Sequence, residues 1–146
     1  MDPSLRQFAT DVIHAEASAV QGLTNSIGES FERAVRLILD CPGTVLTSGI
    51  GKAGHVARKL SASFSSTGTP SHFLNPAEAL HGDLGSIRRG DVVVILSSSG
   101  ESDEILRMLS VIKKLGDPVI AITSNAANAL GRFSDVVLEL GKIEEA

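Results

Sequence analysis

The apolar positions of the first forty residues recur at helical spacing and predict two helices. In the first helix, apolar side chains stand three or four residues apart, at Leu5, Phe8, Val12, Ala15, Ala19 and Leu23. The second helix repeats this spacing at Phe31, Ala34, Val35, Ile38 and Leu39. Gly22 and residues 25–28 separate the two helices, since glycine and asparagine favour turns. Residues 1–42 are therefore predicted to be helical.

From residue 43 onward, short apolar runs alternate with segments of helical spacing. Strands are predicted at Thr44–Thr47, Pro70–Leu74, Asp91–Leu96, Val119–Thr123 and Asp135–Leu140. Helices are predicted at His55–Ser65, Pro76–Leu80, Ser102–Leu115 and Asn125–Phe133. Strands separated by helices of this length pair in parallel through right-handed crossovers. The sequence therefore predicts a three-layer α/β core over residues 43–146, with a doubly wound, five-stranded parallel sheet.

The predicted strand order is 2-1-3-4-5, as in flavodoxin-like folds, and residues 1–146 are predicted to form a single domain. Ligands bind such a sheet beyond the carboxyl ends of its strands, where the strand order reverses. Here that point lies between the first and third strands. The loops that follow these two strands, residues 48–54 and residues 97–102, are therefore predicted to line one site.

Residues 97–102, which we call the serine loop, carry four hydroxyl groups and a glycine between a buried strand and a helix start. The N-terminus of a helix offers unpaired N–H groups and a partial positive charge, and serine hydroxyls add further donors. Neither loop has the spacing of a nucleotide P-loop, so a phosphate without a nucleotide is the favoured ligand. The predicted phosphate-binding residues are Ser97, Ser98, Ser99, Gly100 and Ser102, with Gly49 and Gly51 from the first loop.

The first loop has the spacing GxGxxG at Gly49–Gly54, and Lys52 lies within it. A dinucleotide site would need an acidic residue about 20 positions further on, but the second strand ends in Asn75 and Pro76. Lys52 is either a solvated surface lysine or a cation that neutralises phosphate and stabilises a developing enediolate. Its place between two glycines on a ligand-facing loop favours the second interpretation.

Two acidic residues and a histidine complete the candidate chemistry. Glu101 and Glu104 lie at the start of the helix after the serine loop, where carboxylates also complement the helix dipole. One of the two is expected to face the cleft as a general base. His81 belongs to an irregular segment with Asp83, and such segments often carry function.

The composition narrows the function classes. The net charge is −4, no Lys/Arg cluster exceeds two residues, and tyrosine and tryptophan are absent, so nucleic acid is not the expected partner. No apolar run approaches the roughly 18 residues of a membrane span, and no signal peptide is recognised. Cys41 is the only cysteine, which fits a reducing cytoplasm. The histidines lack ligand spacing, so no catalytic metal is expected.

Four segments together resemble the sugar isomerase (SIS) domain, and more narrowly the arabinose 5-phosphate isomerases of the KpsF/GutQ type. They are GIGKAGH at 49–55, KLSASFSSTGTPSHFLNPAEALHGDLG at 59–85, SSSGES at 97–102 and AITSN at 121–125. The serine loop is shared across that superfamily, whereas the glycine turn and the HGDLG segment are typical of the arabinose 5-phosphate group.

This resemblance implies reversible interconversion of D-arabinose 5-phosphate and D-ribulose 5-phosphate, which supplies Kdo for bacterial lipopolysaccharide or capsule. It implies that Glu104 transfers a proton between C1 and C2 and that Lys52 stabilises the enediolate. Glu145 would support a second proton transfer or orient the sugar. His81 would hold a sugar hydroxyl or help to structure the site across a subunit boundary. It also implies a homodimer or homotetramer without a redox cofactor or essential metal.

Family members continue past residue 146 with a histidine-bearing segment and usually a pair of regulatory CBS domains. This chain is therefore expected to be a truncated or minimal form of such an isomerase. The alternative is a non-catalytic module that binds a phosphosugar as a sensor and does not need Lys52 or Glu104.

Overall fold

Within residues 3–143, which the computed structural model describes, six helices and five strands follow one another in the predicted alternation. The helices are α1 (Pro3–Gly22), α2 (Glu29–Leu39), α3 (Gly51–Ser66), α4 (Pro76–Ala79), α5 (Asp103–Leu115) and α6 (Ala129–Phe133). The strands are β1 (Val45–Gly49), β2 (Ser71–Leu74), β3 (Val92–Leu96), β4 (Val119–Thr123) and β5 (Val136–Glu139). Short 3-10 helices lie at Leu23–Ser26 and Asp83–Ser86.

The five strands form one parallel sheet in the order β2-β1-β3-β4-β5, which confirms the predicted fold and strand order. Gly49, the last residue of β1, lies beside Leu96, the last residue of β3. Leu96 in turn lies beside Ile122 of β4. The carboxyl ends of the three central strands are therefore level, so their following loops meet at one edge of the sheet.

The core is divided between the two faces of the sheet, which explains why β3 is apolar at every position. Val93 and Ile95 face the layer that contains α5. Val92, Val94 and Leu96 face the opposite layer, which includes Ala34 of α2 and Ala57 of α3. The sheet is therefore covered on both sides, and α3 and α5, which follow β1 and β3, begin at the same edge.

Helix α1 confirms the first predicted helix but lies apart from the core. Its main contacts are with the 3-10 helix that follows it. Four of its apolar side chains are each about two-thirds exposed: Leu5 63%, Phe8 66%, Ile13 65% and Val20 66%. No helix among the described residues is long and apolar enough to cross a membrane.

Helix α3 begins earlier than its pattern predicts. The stretch from Gly51 to Gly54, predicted as part of a loop, is the first turn of α3. The reason is close packing, because a Cβ on Gly49 would lie 3.0 Å from the backbone of both Ala53 and Leu96. Gly51, with φ of +59°, makes the sharp entry into the helix.

Candidate active site

The serine loop is ordered by its own hydroxyl groups. Ser97 continues the sheet, since its N–H donates to the Ile122 carbonyl at 3.1 Å, and its side chain is buried. The N–H of Gly100 donates to Ser97 Oγ at 3.1 Å, and the N–H of Glu101 donates to Ser99 Oγ at 3.3 Å. Because these two hydroxyl oxygens already accept, each hydroxyl keeps its proton to donate to a ligand.

Helix α5 starts directly after the loop with its terminal N–H groups available. Ser102 is the N-cap, and its side chain makes no capping hydrogen bond. The first intrahelical bond of the helix runs from the Leu106 N–H to the Ser102 carbonyl at 3.0 Å. The N–H groups of residues 103–105 therefore have no acceptor within the helix. Together with the helix dipole, these groups and the Ser102 hydroxyl make a suitable site for an anion.

A cavity of about 440 Å³ lies between the serine loop and the start of α3. Its volume falls within the range of roughly 300–1,000 Å³ that is common for small-molecule sites. The lining residues are Ile50, Lys52, Ala53, Leu96, Ser97, Ser98, Ser99, Ser102 and Ile105. Two loops that the sequence predicted to share a site therefore do so, and the cavity combines a cation with hydroxyl donors over an apolar floor.

The structure brings some of the predicted site residues together and leaves others apart. Lys52 and four serines line the cavity: Ser97, Ser98, Ser99 and Ser102. The predicted glycines frame it without lining it: Gly49 at the end of β1, Gly51 at the start of α3 and Gly100 within the loop.

The remaining candidates for catalysis do not line this cavity. Glu104 is exposed on the first turn of α5. His81 is exposed just after α4, where its N–H donates to the Glu78 carbonyl at 2.8 Å. Glu145 lies outside the described residues.

Of the two acidic residues near the start of α5, Glu101 has a hydrogen-bond partner among the described residues and Glu104 does not. Glu101 Oε1 accepts the N–H of Ala129 at 2.8 Å and thus caps α6. Within residues 3–143 the carboxylate of Glu104 makes no hydrogen bond or ion pair, so of the two it is the one available to a ligand. Its role as a base stays a prediction.

The sequence analysis did not assign a role to the end of β4 and the segment after it, which donate hydrogen bonds to the backbone of the serine loop. The Ser98 carbonyl accepts three hydrogen bonds: from Thr123 Oγ1 at 3.1 Å, from the Ser124 N–H at 3.2 Å and from Ser124 Oγ at 2.6 Å. The Leu130 N–H donates to the Gly100 carbonyl at 3.0 Å. The polar residues 123–125, at the end of a buried strand, are the signal that could have indicated this role.

A second cavity of about 650 Å³ shares Ser98 with the first. It also includes Ser124, Asn125 and Lys142, which follow β4 and β5. In the part of the chain that the structure describes, no group of three or more His, Cys, Asp or Glu side chains could hold a metal ion.

A doubly wound sheet with a hydroxyl-rich loop at its switch point defines a class of α/β domain that binds anionic ligands. Residues 38–146 match the family described as the SIS domain, and the chain belongs to that family.

The chain is 43% identical over 146 residues to "Arabinose 5-phosphate isomerase KpsF" of Escherichia coli, an alignment that covers 99% of this chain and 45% of that protein. It is 44% identical over 141 residues to "Arabinose 5-phosphate isomerase KdsD" of Francisella tularensis, covering 94% and 43%. The chain thus spans a little under half the length of these curated relatives. Among solved structures, that of the Escherichia coli CFT073 protein c3406 in complex with arabinose 5-phosphate matches with a TM-score of 0.90 and 38% identity, covering 97% of this chain and 76% of that one.

Proposed function

We propose that this chain is the single SIS domain, residues 1–146, of an aldose–ketose isomerase that interconverts D-arabinose 5-phosphate and D-ribulose 5-phosphate. The observation that carries this proposal is the cavity in which Lys52, the serine hydroxyls and the α5 N-terminus meet. The 43% and 44% identity to proteins named arabinose 5-phosphate isomerase supports the choice of substrate. A similar structure in complex with arabinose 5-phosphate supports it independently.

The phosphate of the sugar would occupy the serine loop. Ser97 and Ser99 would donate their hydroxyl protons, because their oxygens already accept from backbone N–H groups. Ser102 would donate a third, since its side chain is not engaged in capping α5. Residues Ser98 and Gly100 would shape the loop, and Gly49 and Gly51 would bring the α3 start close to the ligand.

The chemical step would move protons only. A carboxylate takes the proton from C2 of the aldose, and the electron pair forms an enediolate with its charge on O1. The same proton returns to C1, while the proton on O2 passes to O1, which leaves the ketone at C2. We assign the carbon-to-carbon transfer to Glu104 and the stabilisation of the enediolate to Lys52. We assign the transfer between oxygens, or sugar orientation, to Glu145, and a sugar-hydroxyl contact to His81.

The experiment follows ribulose 5-phosphate formation from arabinose 5-phosphate in a coupled assay, together with calorimetry of arabinose 5-phosphate binding. Turnover with binding supports the isomerase. Absence of both overturns the proposal. Glucose 6-phosphate and free arabinose, each run in parallel, test the selectivity for a phosphorylated pentose.

A second candidate function is phosphosugar binding without catalysis, as in a sensor. One observation favours it: the four serines predicted to bind phosphate line the cavity, whereas Glu104 and His81 lie outside its lining. Tight binding of arabinose 5-phosphate without ketose formation would support this candidate.

We also propose that the chain associates with itself through α1. Large apolar side chains of this helix, including Phe8 and Ile13, are exposed. Helix α1 packs mainly on the adjacent 3-10 helix. A second copy would bury these side chains, and exposed apolar patches commonly mark such interaction sites.

A further inference from the structure

The carboxamide of Asn128 is held at both of its ends between α6 and β4. Asn128 is the N-cap of α6, and its Oδ1 accepts the Gly131 N–H at 2.8 Å. Its Nδ2 donates to Thr123 Oγ1 at 2.6 Å. The Asn128 side chain therefore satisfies the helix start and the last residue of the strand at the same time.

This arrangement continues into the serine loop. Thr123, which is fully buried, donates its hydroxyl proton to the Ser98 carbonyl at 3.1 Å. The result is a directed chain of hydrogen bonds from Asn128 through Thr123 to Ser98. The oxygen of Thr123 accepts from Asn128 while its proton goes to Ser98, and hydrogen bonds linked in this way strengthen one another.

Asn128 also packs directly against the loop backbone. Gly100 has a φ of +64°, and a Cβ on it would overlap the carboxamide of Asn128. Glycine is therefore required here for two reasons: the backbone is left-handed, and Asn128 leaves no space for a side chain. Asn128 therefore packs against one side of the serine loop, and the serines on its other side line the cavity.

We propose that Asn128 and Thr123 are positioning residues that hold the serine loop in the shape that binds the phosphate. This inference rests on the proposed function, because it concerns how the same loop binds its anion. Neither side chain lines the cavity, so both act through the loop. A preformed loop avoids the loss of conformational entropy that a mobile one would suffer on binding.

The test uses uncharged substitutions and compares variants that break the chain of hydrogen bonds with variants that keep it. Thr123→Val removes the hydroxyl at nearly constant shape, and Thr123→Ser retains it. Asn128→Ser still caps α6 but cannot reach Thr123, and serine and asparagine are about equally good N-caps. The matched control is Ser134→Ala, which removes a hydrogen bond to the Leu130 carbonyl from the opposite end of α6.

Two readouts are measured: hydrogen exchange at the Gly100 and Glu101 amides without ligand, and the dissociation constants for arabinose 5-phosphate and inorganic phosphate. We expect Thr123→Val and Asn128→Ser to exchange about tenfold faster and to bind both ligands about tenfold more weakly. The double variant should be no weaker than either single one, since both break the same chain. Thr123→Ser and Ser134→Ala should match the original chain in both readouts.

Unchanged loop exchange in Thr123→Val, or equal effects of Ser134→Ala and Asn128→Ser, would overturn the inference. Failure of the proposed function has a different signature, because the original chain would then not bind arabinose 5-phosphate at all. In that case the exchange rates alone still decide whether Asn128 holds the loop.

Discussion

A Cβ on Gly54 would lie 2.7 Å from the carbonyl oxygen of Gly49, so these two glycines hold α3 against the end of β1 in direct backbone contact. The contact sets where the first turn of α3 begins and thereby where Lys52 enters the cavity. No residue with a Cβ fits at this distance without a shift of the backbone.

Gly54→Ala should therefore destabilise the chain by about 1–3 kcal/mol, the usual effect of forcing an extra carbon into a packed contact. Urea unfolding measures this loss. Gly22→Ala is the matched control, because Gly22 has helical backbone angles and open space around its Cβ position. If the two alanine variants unfold at the same urea concentration, the contact between Gly54 and Gly49 can adapt to a Cβ and the prediction is wrong.

Glu104→Gln should abolish turnover while it leaves the dissociation constant for arabinose 5-phosphate within about tenfold, or roughly 1.4 kcal/mol. The amide keeps the size and hydrogen-bonding reach of the side chain but cannot accept the C2 proton. The coupled assay and calorimetry separate the two effects. Asp103→Asn serves as the control, since it removes the same charge from the same exposed helical turn and should remain active. A normal rate in Glu104→Gln would remove this carboxylate from the mechanism.

Ser102→Ala should weaken arabinose 5-phosphate binding by about tenfold with little change in stability. The Ser102 side chain makes no capping hydrogen bond, so its removal takes nothing from the helix that the structure shows. Calorimetric titration and thermal unfolding are the two measurements. Ser110→Ala, which removes an exposed hydroxyl from the same helix, should bind normally. Equal affinity of both variants would argue against Ser102 as a ligand.

Phe8→Glu should shift the chain toward monomer, because it places a charge in the middle of the exposed apolar surface of α1. Sedimentation velocity across the micromolar range measures the change. Gln21→Glu adds the same charge to a polar position of the same helix and should leave association intact. If the original chain is already monomeric at these concentrations, the proposed self-association through α1 is wrong.

The strands and their parallel pairing were predictable because each strand is a short apolar run and helices lie between them. Their order was predicted by analogy with flavodoxin-like folds. The convergence of Lys52 with the serine loop was predictable for the same reason, since it follows from the strand order alone. What the pattern could not show is where α3 begins, because that depends on how closely a backbone approaches its neighbour.

The sequence also could not show that Glu101 is engaged and Glu104 is not. Glu101 lies just before α5 and Glu104 in its first turn, and only the tertiary structure brings Ala129, 28 residues away, to Glu101. The support of the loop by Asn128 has the same origin. Contacts between segments distant in the chain, and not local propensity, decide which of several similar polar side chains remain available.

The orientation of the hydroxyl groups in the serine loop has a consequence for ligand charge. Ser97 Oγ and Ser99 Oγ each accept a backbone N–H, which uses one acceptor site of each oxygen and leaves the hydroxyl proton to donate. A ligand whose terminal oxygens all accept hydrogen bonds fits this lining better than a ligand that must also donate one. Phosphate monoesters shed their second proton near pH ~6, so capture should strengthen as the solution passes from mildly acidic to neutral.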